Sequence, residues 1–562
     1  MRPLNARTAV RRAGRFLVFA VVAAFISAPV AAEHAIERVR FDDRLGTLPV
    51  AVSLAHNGVS TVDTGLFGQL YWDRTGAGGF GALVRVTGPP AAGDTLSSYV
   101  SPQFLRTNAQ FVNDPGEVAR AYGSELASQF WHSFLAFELV AALVGGVLLY
   151  ALFRGRAAFS EIPDRRSRTW WRVLTTTGAL LASAVTATVF FARWDGSADI
   201  DRAYPMPGME QLSFSSPQTL EVARQLQPFI EKNTERTREL SSAYEDRVAA
   251  SARVELPQRS PSLRPRDGER IVIAEADPQG SLVGNAVRTA LYPLLSQYVG
   301  EEAFALRTIS GDVTSNGTVA EDGFVRAEGA ASPGVPTVAV KGDHDTDVTV
   351  KQMLDHDIVN PDFDTTEING LRVVAGNDPA FKTLFGGLVV NDTGVTESGI
   401  GERLREDVDP DEPVVVLLHQ PSSAAGYIGT RSLGDIDDAL GRDTVPWDDG
   451  IPDLPPGIIN IGHLHDAEPP RVIWNTDGDT VTWTVVNQLG TSGGVEETPT
   501  FNRFSTPFSA PLKPVSLQFQ YVDVETGLQT GYASLDISVD GDVVIGERQD
   551  LGLPGGQPGQ SG

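Results

Sequence analysis

The stretch TVAVKGDHDTD, residues 337–347, places a histidine between two aspartates directly after a short apolar run. The chain has only eight histidines in 562 residues, so a histidine flanked by two aspartates is a candidate functional residue. A surface loop would produce it by chance, whereas a metal site would require further ligands elsewhere in the chain. The choice depends on whether other histidines and aspartates follow similar runs.

Four more segments show the same order, an apolar strand-like run followed by polar side chains. They are IVIAEADPQ (271–279), LRTISGD (306–312), VVVLLHQ (414–420) and INIGHLH (459–465). In open α/β sheets ligands bind beyond the carboxyl ends of the strands, so these polar residues are expected to converge on one site. The predicted ligands are Asp277, Gln279, Asp312, Asp343, His419, His463 and His465, with His344 and Asp345 beside them.

The residue types indicate which chemistry such a site supports. The chain has no cysteine, so a metal must be held by imidazole, carboxylate or amide groups, a mixture that suits Mn, Fe or Zn. Two divalent ions about 4 Å apart activate a water and hold a phosphate, and a carboxylate such as Asp312 can bridge them. Each motif alone is also typical of a turn or loop. The segment GNDP (376–379) is interpreted as a turn, and His356 as a surface residue.

Taken in order, these motifs resemble the signature of the calcineurin-like metallophosphoesterase superfamily, which reads D-x-H, G-D-x-x-D, G-N-H-D/E, a lone His and G-H-x-H. The corresponding segments here are DPQ (277–279), GDVTS (311–315), GDHD (342–345), His419 and GHLH (462–465). NQLGTSGG (487–494) resembles the loop after the last motif. The resemblance covers residues 270–500 approximately.

The resemblance implies a four-layer α/β/β/α sandwich around a site for two divalent metal ions. One ion would take Asp277, Gln279, Asp312 and His465, and the other Asp312, Asp343, His419 and His463. His344 would protonate the leaving oxygen or stabilise the transition state, with Asp345 orienting it. Three positions depart from the family pattern: Gln279 replaces a histidine, Asp343 an asparagine and Ser315 an aspartate.

Three apolar segments predict attachment to a membrane. They are residues 16–32, 133–153 and 173–191, each long enough to span a bilayer. The first follows the basic stretch MRPLNARTAVRRAGR and ends in Val30-Ala31-Ala32, so it is either an uncleaved anchor or a signal peptide. A buried core helix is the alternative for each segment. Arginines in the loop 154–172 predict a cytoplasmic loop and an extracytoplasmic remainder after residue 193.

These features divide the chain into successive regions. They are an N-terminal membrane anchor or signal peptide (1–32), a small β-rich extracytoplasmic domain (33–132), two transmembrane helices with a short basic loop (133–192), a helical stalk and Pro/Arg-rich linker (193–269), the metallophosphoesterase domain (270–548) and a disordered tail (549–562). A dimerising coiled coil within 217–254 is the alternative to a simple stalk.

The sequence therefore predicts a multi-pass cell-membrane enzyme whose metal-activated water hydrolyses a phosphomonoester or phosphodiester outside the cytoplasm. The substrate is expected to be a small phosphate ester, an envelope phosphate or a lipid headgroup. The net charge of −26 disfavours nucleic acid as a partner. The alternative is a catalytically degenerate module that binds a ligand or partner at the membrane, an interpretation that Gln279 motivates. A transporter or channel is disfavoured because the spans lack a polar face.

Overall fold

The computed structural model describes residues 6–45, 48–56, 58–65, 68–72, 80–88, 115–153, 203–207, 209–382, 389–434, 451, 454–475, 482–495 and 511–551, with a few positions between 178 and 192. Most of the third expected span (173–191) lies outside these residues, as does the predicted tail beyond residue 551. The described part of the chain is mixed α/β, with several sheets and two long apolar helices in its first third.

Eight helices are described. They are α1 (Ala6–Arg38), α2 (Pro115–Phe153), α3 (Pro217–Leu263), α4 (Leu282–Val299), α5 (Asp322–Ala330), α6 (Asp347–Asp355), α7 (Glu397–Asp407) and α8 (Pro421–Ile428).

The strands in the described residues form four sheets. They are β1 (Arg40–Leu45), β2 (Leu48–Ala55), β3 (Ser60–Asp63), β4 (Gln69–Trp72), β5 (Gly81–Val86), β6 (Tyr204–Met206), β7 (Met209–Phe214), β8 (Glu269–Glu275), β9 (Phe304–Ile309), β10 (Thr337–Ala339), β11 (Ile358–Val359), β12 (Thr366–Ile368), β13 (Leu371–Ala375), β14 (Phe381–Lys382), β15 (Val389–Val390), β16 (Val414–Leu417), β17 (Gly457–Ile461), β18 (Arg471–Asn475), β19 (Thr482–Gln488), β20 (Val515–Asp523), β21 (Gln529–Ile537), β22 (Val543–Ile545) and β23 (Gln549–Asp550).

The chain separates into two compact units. The first comprises Met1–Asp43, Leu48–Pro89 and Ala119–Gln227, and the second comprises Arg44–Thr47, Pro90–Val118 and Pro228–Gly562. A seven-stranded sheet in the order β1-β2-β5-β3-β4-β7-β6 belongs mainly to the first unit. Strands β6 and β7 come from residues 204–214, so the expected stalk region also contributes to this sheet.

Helices α1 and α2 are each long and apolar enough to cross a membrane, over Phe16–Arg38 and Gly116–Ala151 respectively. They contact each other closely where a Cβ on Gly146 would lie 3.0 Å from the Cα of Ala20. The hydroxyl of Ser27 lies 3.1 Å from both carboxylate oxygens of Glu138. The pairing therefore combines small residues with one polar contact between the helices.

Helix α3 runs on to Leu263, so residues 257–263 are helical and not part of the linker that their prolines predicted. Its side chains at Tyr244, Val248, Ala252 and Leu256 recur every four residues and are buried, as is Leu263. They share one core with the strands β8, β20 and β21. This apolar stripe outweighs the helix-breaking tendency of proline because burying it stabilises the whole unit.

The second unit is built around two further sheets. The larger has the order β11-β10-β9-β8-β20-β21-β22, with β23 pairing to β21, and its strands β8 to β11 are parallel. Residues 549 and 550 thus belong to this sheet and not to a disordered tail. The smaller sheet has the order β12-β13-β16-β17-β19-β18, and the strands β13, β16, β17 and β19 are parallel.

Three apolar clusters hold this unit together. One joins the larger sheet to the smaller through side chains such as Val272, Leu306, Val373 and Leu417. A second covers the larger sheet with α3 and α4, and a third covers the smaller sheet with α7 and α8. Strands β9 and β17 are buried along their whole length, and β8 along its last five residues, because both faces of these strands are covered.

Candidate metal centre

Every predicted ligand follows the carboxyl end of a parallel strand. Asp277 and Gln279 follow β8, Asp312 follows β9, and residues 343–345 follow β10 in the larger sheet. His419 follows β16, and His463 and His465 follow β17 in the smaller sheet. The structure brings all nine predicted site residues to one place where the two sheets meet.

The ligand atoms form overlapping groups. Asp277, Asp312 and His465 have one ligand atom each within 4.8 Å of one another, and so do Asp343, His419 and His463. The Nε2 of His419 lies 3.3 Å from Oδ1 of Asp312 and 3.3 Å from Oδ1 of Asp343. Asp312 therefore lies between the two groups, where a carboxylate can serve both.

Two histidines have their protonation pattern set by backbone carbonyls. The Nδ1 of His419 donates to the carbonyl oxygen of Ser310 at 3.0 Å, and that of His465 donates to Val495 at 2.7 Å. A carbonyl only accepts, so these bonds assign a proton to Nδ1 of each ring and leave Nε2 facing the carboxylates. Among the described residues, Nε2 of His465 is buried without a hydrogen-bond partner.

Gln279 takes part in the same cluster. Its Nε2 donates to Oδ2 of Asp312 at 3.1 Å, and its Oε1 is buried with no hydrogen-bond partner among the described residues. The amide thus offers an oxygen where the family pattern has an imidazole nitrogen. A neutral amide oxygen is a weaker ligand than imidazole for first-row divalent ions.

Backbone strain is concentrated in these loops. Eight described non-glycine residues have positive φ, and Asp277, Gln279, Asp312, His463 and His465 are five of them. Such angles are costly for residues with a Cβ and persist where surrounding contacts enforce them. A Cβ on Gly342 would lie 2.2 Å from Oδ1 of Asp312, so that position must remain a glycine.

Asp345 has a different role from the one expected. Its carboxylate accepts from the backbone N–H groups of Gly342, Val313 and Thr314 at 2.8–3.0 Å, and from the hydroxyl of Thr314 at 2.7 Å. These bonds tie the loop after β10 to the loop after β9. The carboxylate therefore positions the backbone of both loops and is not bonded to the ring of His344.

The segment 487–494 holds the first ligand in place. The hydroxyl of Thr491 donates to the carbonyl oxygen of Asp277 at 2.8 Å, and the N–H of Gly493 donates to the same oxygen at 3.2 Å. The N–H of His463 in turn lies 3.1 Å from both carboxylate oxygens of Asp277. Asp277, which follows a strand of the larger sheet, is thereby held through its carbonyl and its carboxylate by two loops of the smaller sheet.

The buried carboxylates of the cluster favour the binding of a cation. Burial raises the pKa of Asp277 to about 7 and that of Asp312 well above its ordinary value. Burial opposes ionisation of His419, but Asp312 and Asp343 raise its pKa well above the ordinary value. Several carboxylates in a dry site are stable only when protons or cations neutralise them. The donor set and the unpartnered Nε2 of His465 fit a metal ion.

Sequence reasoning missed Asp378. It follows β13, which neighbours β16, and was interpreted as part of a turn. Its side chain is buried, which raises its pKa to about 6, and it interacts with Gln420, whose Nε2 lies 3.3 Å from Nδ1 of His463. The rule that found the other ligands, a polar residue after an apolar strand, also applies to LRVVAGND (371–378).

The other four histidines lie away from the cluster. His34 and His56 contact the rings of Phe137 and Phe80, and His132 hydrogen-bonds within its own helix. The Nε2 of His356 lies 2.8 Å from Oδ1 of Asp322.

No protein-family model matches this chain, and no curated protein matches it significantly.

Proposed function

We propose that this chain is a membrane-anchored, metal-dependent phosphoesterase of the calcineurin-like class. The observation that carries the proposal is the position of Asp312, which belongs to one group with Asp277 and His465 and to another with Asp343 and His344, and lies 3.3 Å from Nε2 of His419. A carboxylate flanked by two imidazole-containing groups is the ligand arrangement that a two-ion phosphoesterase needs. The order of the motifs along the chain agrees with this class.

The packing of the second unit supports the same class. Helices α3 and α4 cover one sheet, helices α7 and α8 cover the other, and the two sheets share an apolar core. We interpret this as the four-layer α/β/β/α sandwich of the class.

Two divalent ions, when bound, would activate a water for attack on phosphorus and neutralise phosphate oxygens. One position would use Asp277, Gln279, Asp312 and His465. The other would use Asp312, Asp343, His419 and His463. The chain contains no competing thiolate ligand, so Mn, Fe or Zn suits both positions.

His344 is the proposed proton donor to the leaving oxygen. Its backbone N–H donates to Oδ1 of Asp312 at 2.8 Å, which fixes the residue beside the ligands. Its Nδ1 is buried without a hydrogen-bond partner among the described residues. Burial lowers its pKa to about 4, and a bound phosphate anion would favour the protonated ring. Asp345 positions this loop through the backbone.

The apolar helices α1 and α2 would anchor the protein in the cell membrane. The basic residues before the apolar stretch that begins at Phe16 would place the N-terminus inside under the positive-inside rule. The segment 173–191, the third span that the sequence predicts, would return the chain to the extracytoplasmic side, where a small phosphate ester, an envelope phosphate or a lipid headgroup is within reach of the metal centre.

A degenerate binding module is the second candidate function. Its support is the bond from Nε2 of Gln279 to Asp312, which presents a donor where a ligand is expected. In that case the site would bind a ligand without turnover.

Hydrolysis assays on the full chain in detergent test the proposal. The substrates are p-nitrophenyl phosphate and bis-p-nitrophenyl phosphate with added Mn²⁺. We expect turnover that His419→Ala and Asp312→Asn each reduce by at least about 100-fold. His356→Ala, outside the cluster, is the matched control and should retain activity. Folded wild-type protein without turnover in Mn²⁺, Fe²⁺ or Zn²⁺ would favour the binding module.

A further inference from the structure

The backbone of His463 and a neighbouring ring hold the imidazole of this residue beside the cluster. Its N–H lies 3.1 Å from both carboxylate oxygens of Asp277, and its φ of +71° turns the chain away from the extended path of β17. The ring packs edge-on against that of His419, with centroids 5.1 Å apart. Its Nδ1 lies 3.8 Å from Oδ1 of Asp343, so this nitrogen faces the carboxylate with which it would share an ion.

The same nitrogen is within hydrogen-bond distance of an amide. The Nε2 of Gln420 lies 3.3 Å from Nδ1 of His463. An amide nitrogen only donates, so Nδ1 accepts through the lone pair that a metal ion would also need. One lone pair cannot serve an N–H group and an ion at the same time.

The position of Gln420 follows from the start of helix α8. Its carbonyl oxygen accepts from the N–H groups of Ser423 and Ala424, at 3.0 and 3.2 Å, so its backbone forms the N-cap of the helix. Within the described residues its side chain makes no capping bond to the helix. The amide therefore reaches His463 without a structural duty in α8, and the half-buried side chain can be replaced without opening the core.

We propose that Gln420 competes with a metal ion for Nδ1 of His463 and thereby lowers the affinity of the second metal position. That position is the one formed by Asp312, Asp343, His419 and His463. The inference rests on the metal centre of the proposed function but does not require catalysis. An ion that binds Nδ1 displaces the amide, which is half-exposed and can bond to water instead, so the effect on affinity is modest.

Gln279 provides a contrast within the same cluster. Its Nε2 donates to Asp312, but its Oε1 is buried without a hydrogen-bond partner among the described residues and can supply a ligand oxygen. Gln420 presents a donor nitrogen to its ligand atom. Replacement by leucine should therefore weaken metal binding at position 279 and tighten it at position 420.

Isothermal titration of the full chain in detergent with Mn²⁺ tests the competition. We expect Gln420→Leu to tighten binding at one position about fivefold, which is the net contribution of one hydrogen bond. Gln420→Asn, whose amide is one methylene shorter, should have the same effect. Gln549→Leu, exposed on β23, is the control and should bind Mn²⁺ as the wild type does.

A double-mutant cycle tests whether the effect acts through the ring of His463. In a His463→Ala background, Gln420→Leu should leave Mn²⁺ binding unchanged, because the competing bond is already absent. Equal tightening with and without His463 would overturn the inference.

Three other results would also overturn it. They are wild-type Mn²⁺ affinity in both Gln420 variants, weaker binding in Gln420→Leu, which would make the amide a ligand, and folded protein that binds no Mn²⁺. Hydrolysis assays keep the two proposals apart. Tighter Mn²⁺ binding in Gln420→Leu, together with a wild type that hydrolyses neither ester, would support the competition and contradict catalysis. Hydrolysis by the wild type with unchanged Mn²⁺ affinity in Gln420→Leu would do the reverse.

Discussion

At the scale of single residues, Gln279 is the ligand position at which this cluster differs most from the pattern it resembles. Its amide is bonded to Asp312 through Nε2, and its Oε1 has no hydrogen-bond partner among the described residues. Imidazole is the stronger ligand for most first-row metals. The residue therefore sets the affinity of one metal position without altering the fold.

Gln279→His should tighten Mn²⁺ binding at that position by about tenfold, because an imidazole nitrogen replaces an amide oxygen. Isothermal titration of the full chain with Mn²⁺ measures this. Gln549→His is the control, since Gln549 is exposed on β23, away from the centre. Equal Mn²⁺ affinity in wild type and Gln279→His would show that position 279 does not face a metal.

Gly311 is a second residue on which the centre depends. Its φ is +89°, and a Cβ there would lie 2.4 Å from Nδ1 of His419. Gly370 has a similar φ of +84° but open space around it. Alanine substitutions at these two glycines therefore distinguish the cost of backbone strain from the effect of crowding against His419.

Gly370→Ala should cost about 1 kcal/mol of folding free energy through strain alone and leave Mn²⁺ binding unchanged. Gly311→Ala should cost more and also displace His419, reducing Mn²⁺ affinity by at least about tenfold. Denaturation curves and Mn²⁺ titrations measure the two effects. The same Mn²⁺ affinity in both variants would contradict the proposed crowding at His419.

At the scale of elements, buried ion pairs connect the strands beneath the centre. Arg288 on α4 and Arg307 on β9 pair with Glu275 on β8 and Glu328 on α5, and all four side chains have 0% exposure. The Arg307–Glu275 contact is 2.8 Å long. Removing one charge would leave its partner buried and unpaired, so the four groups act as one unit.

A second link joins β8 to the C-terminal strands. Both carboxylate oxygens of Glu269 accept from Arg548, at 2.6 and 2.8 Å, and Thr530 donates at 2.7 Å. Burial would raise the pKa of Glu269, but these hydrogen bonds lower it to about 2. Because the folded-state pKa lies below that of the unfolded chain, the link stabilises the fold above about pH 4.5 and is lost as the pH falls toward 2.

Glu269→Gln should therefore reduce the free energy of unfolding by about 2 kcal/mol at pH 7, and the difference from wild type should shrink between pH 4.5 and 2. Denaturant unfolding across this pH range measures it. Glu525→Gln, at an exposed turn position, is the control and should show little effect. A difference independent of pH would exclude ionised Glu269 as its cause.

At the scale of the whole molecule, the structure of helix α1 bears on whether the N-terminal segment is cleaved from the chain. Helix α1 continues to Arg38 through the predicted cleavage site at Val30-Ala31-Ala32. Ala31, Ala32 and Ala35 are fully buried in the first unit. Proteolysis favours exposed, extended segments, so this helical and buried site is a poor substrate.

We predict that residues 1–32 remain in the mature protein as an anchor. The intact mass of protein purified from the membrane fraction measures this. A mass that begins at Glu33 would contradict the prediction.

Some features of the centre were predictable because they depend on local pattern. Polar residues after apolar runs identified Asp277, Asp312 and His419, since parallel strands end at a common edge. Asp378 was missed because GNDP is also an ordinary turn sequence. The helical continuation to Leu263 was missed because local proline content predicts a linker, whereas burial of Leu256 and Leu263 depends on strands distant in sequence.

The sequence by itself determined the apolar spans, the absence of thiolate ligands and the order of ligand-type residues after apolar runs, since these are properties of composition and spacing. Only the tertiary structure decided that Nε2 of His419 approaches both Asp312 and Asp343, and that Asp345 binds backbone and not His344. These contacts join residues more than thirty positions apart, or depend on side-chain direction. Distances across two sheets arise from packing, which no local pattern encodes.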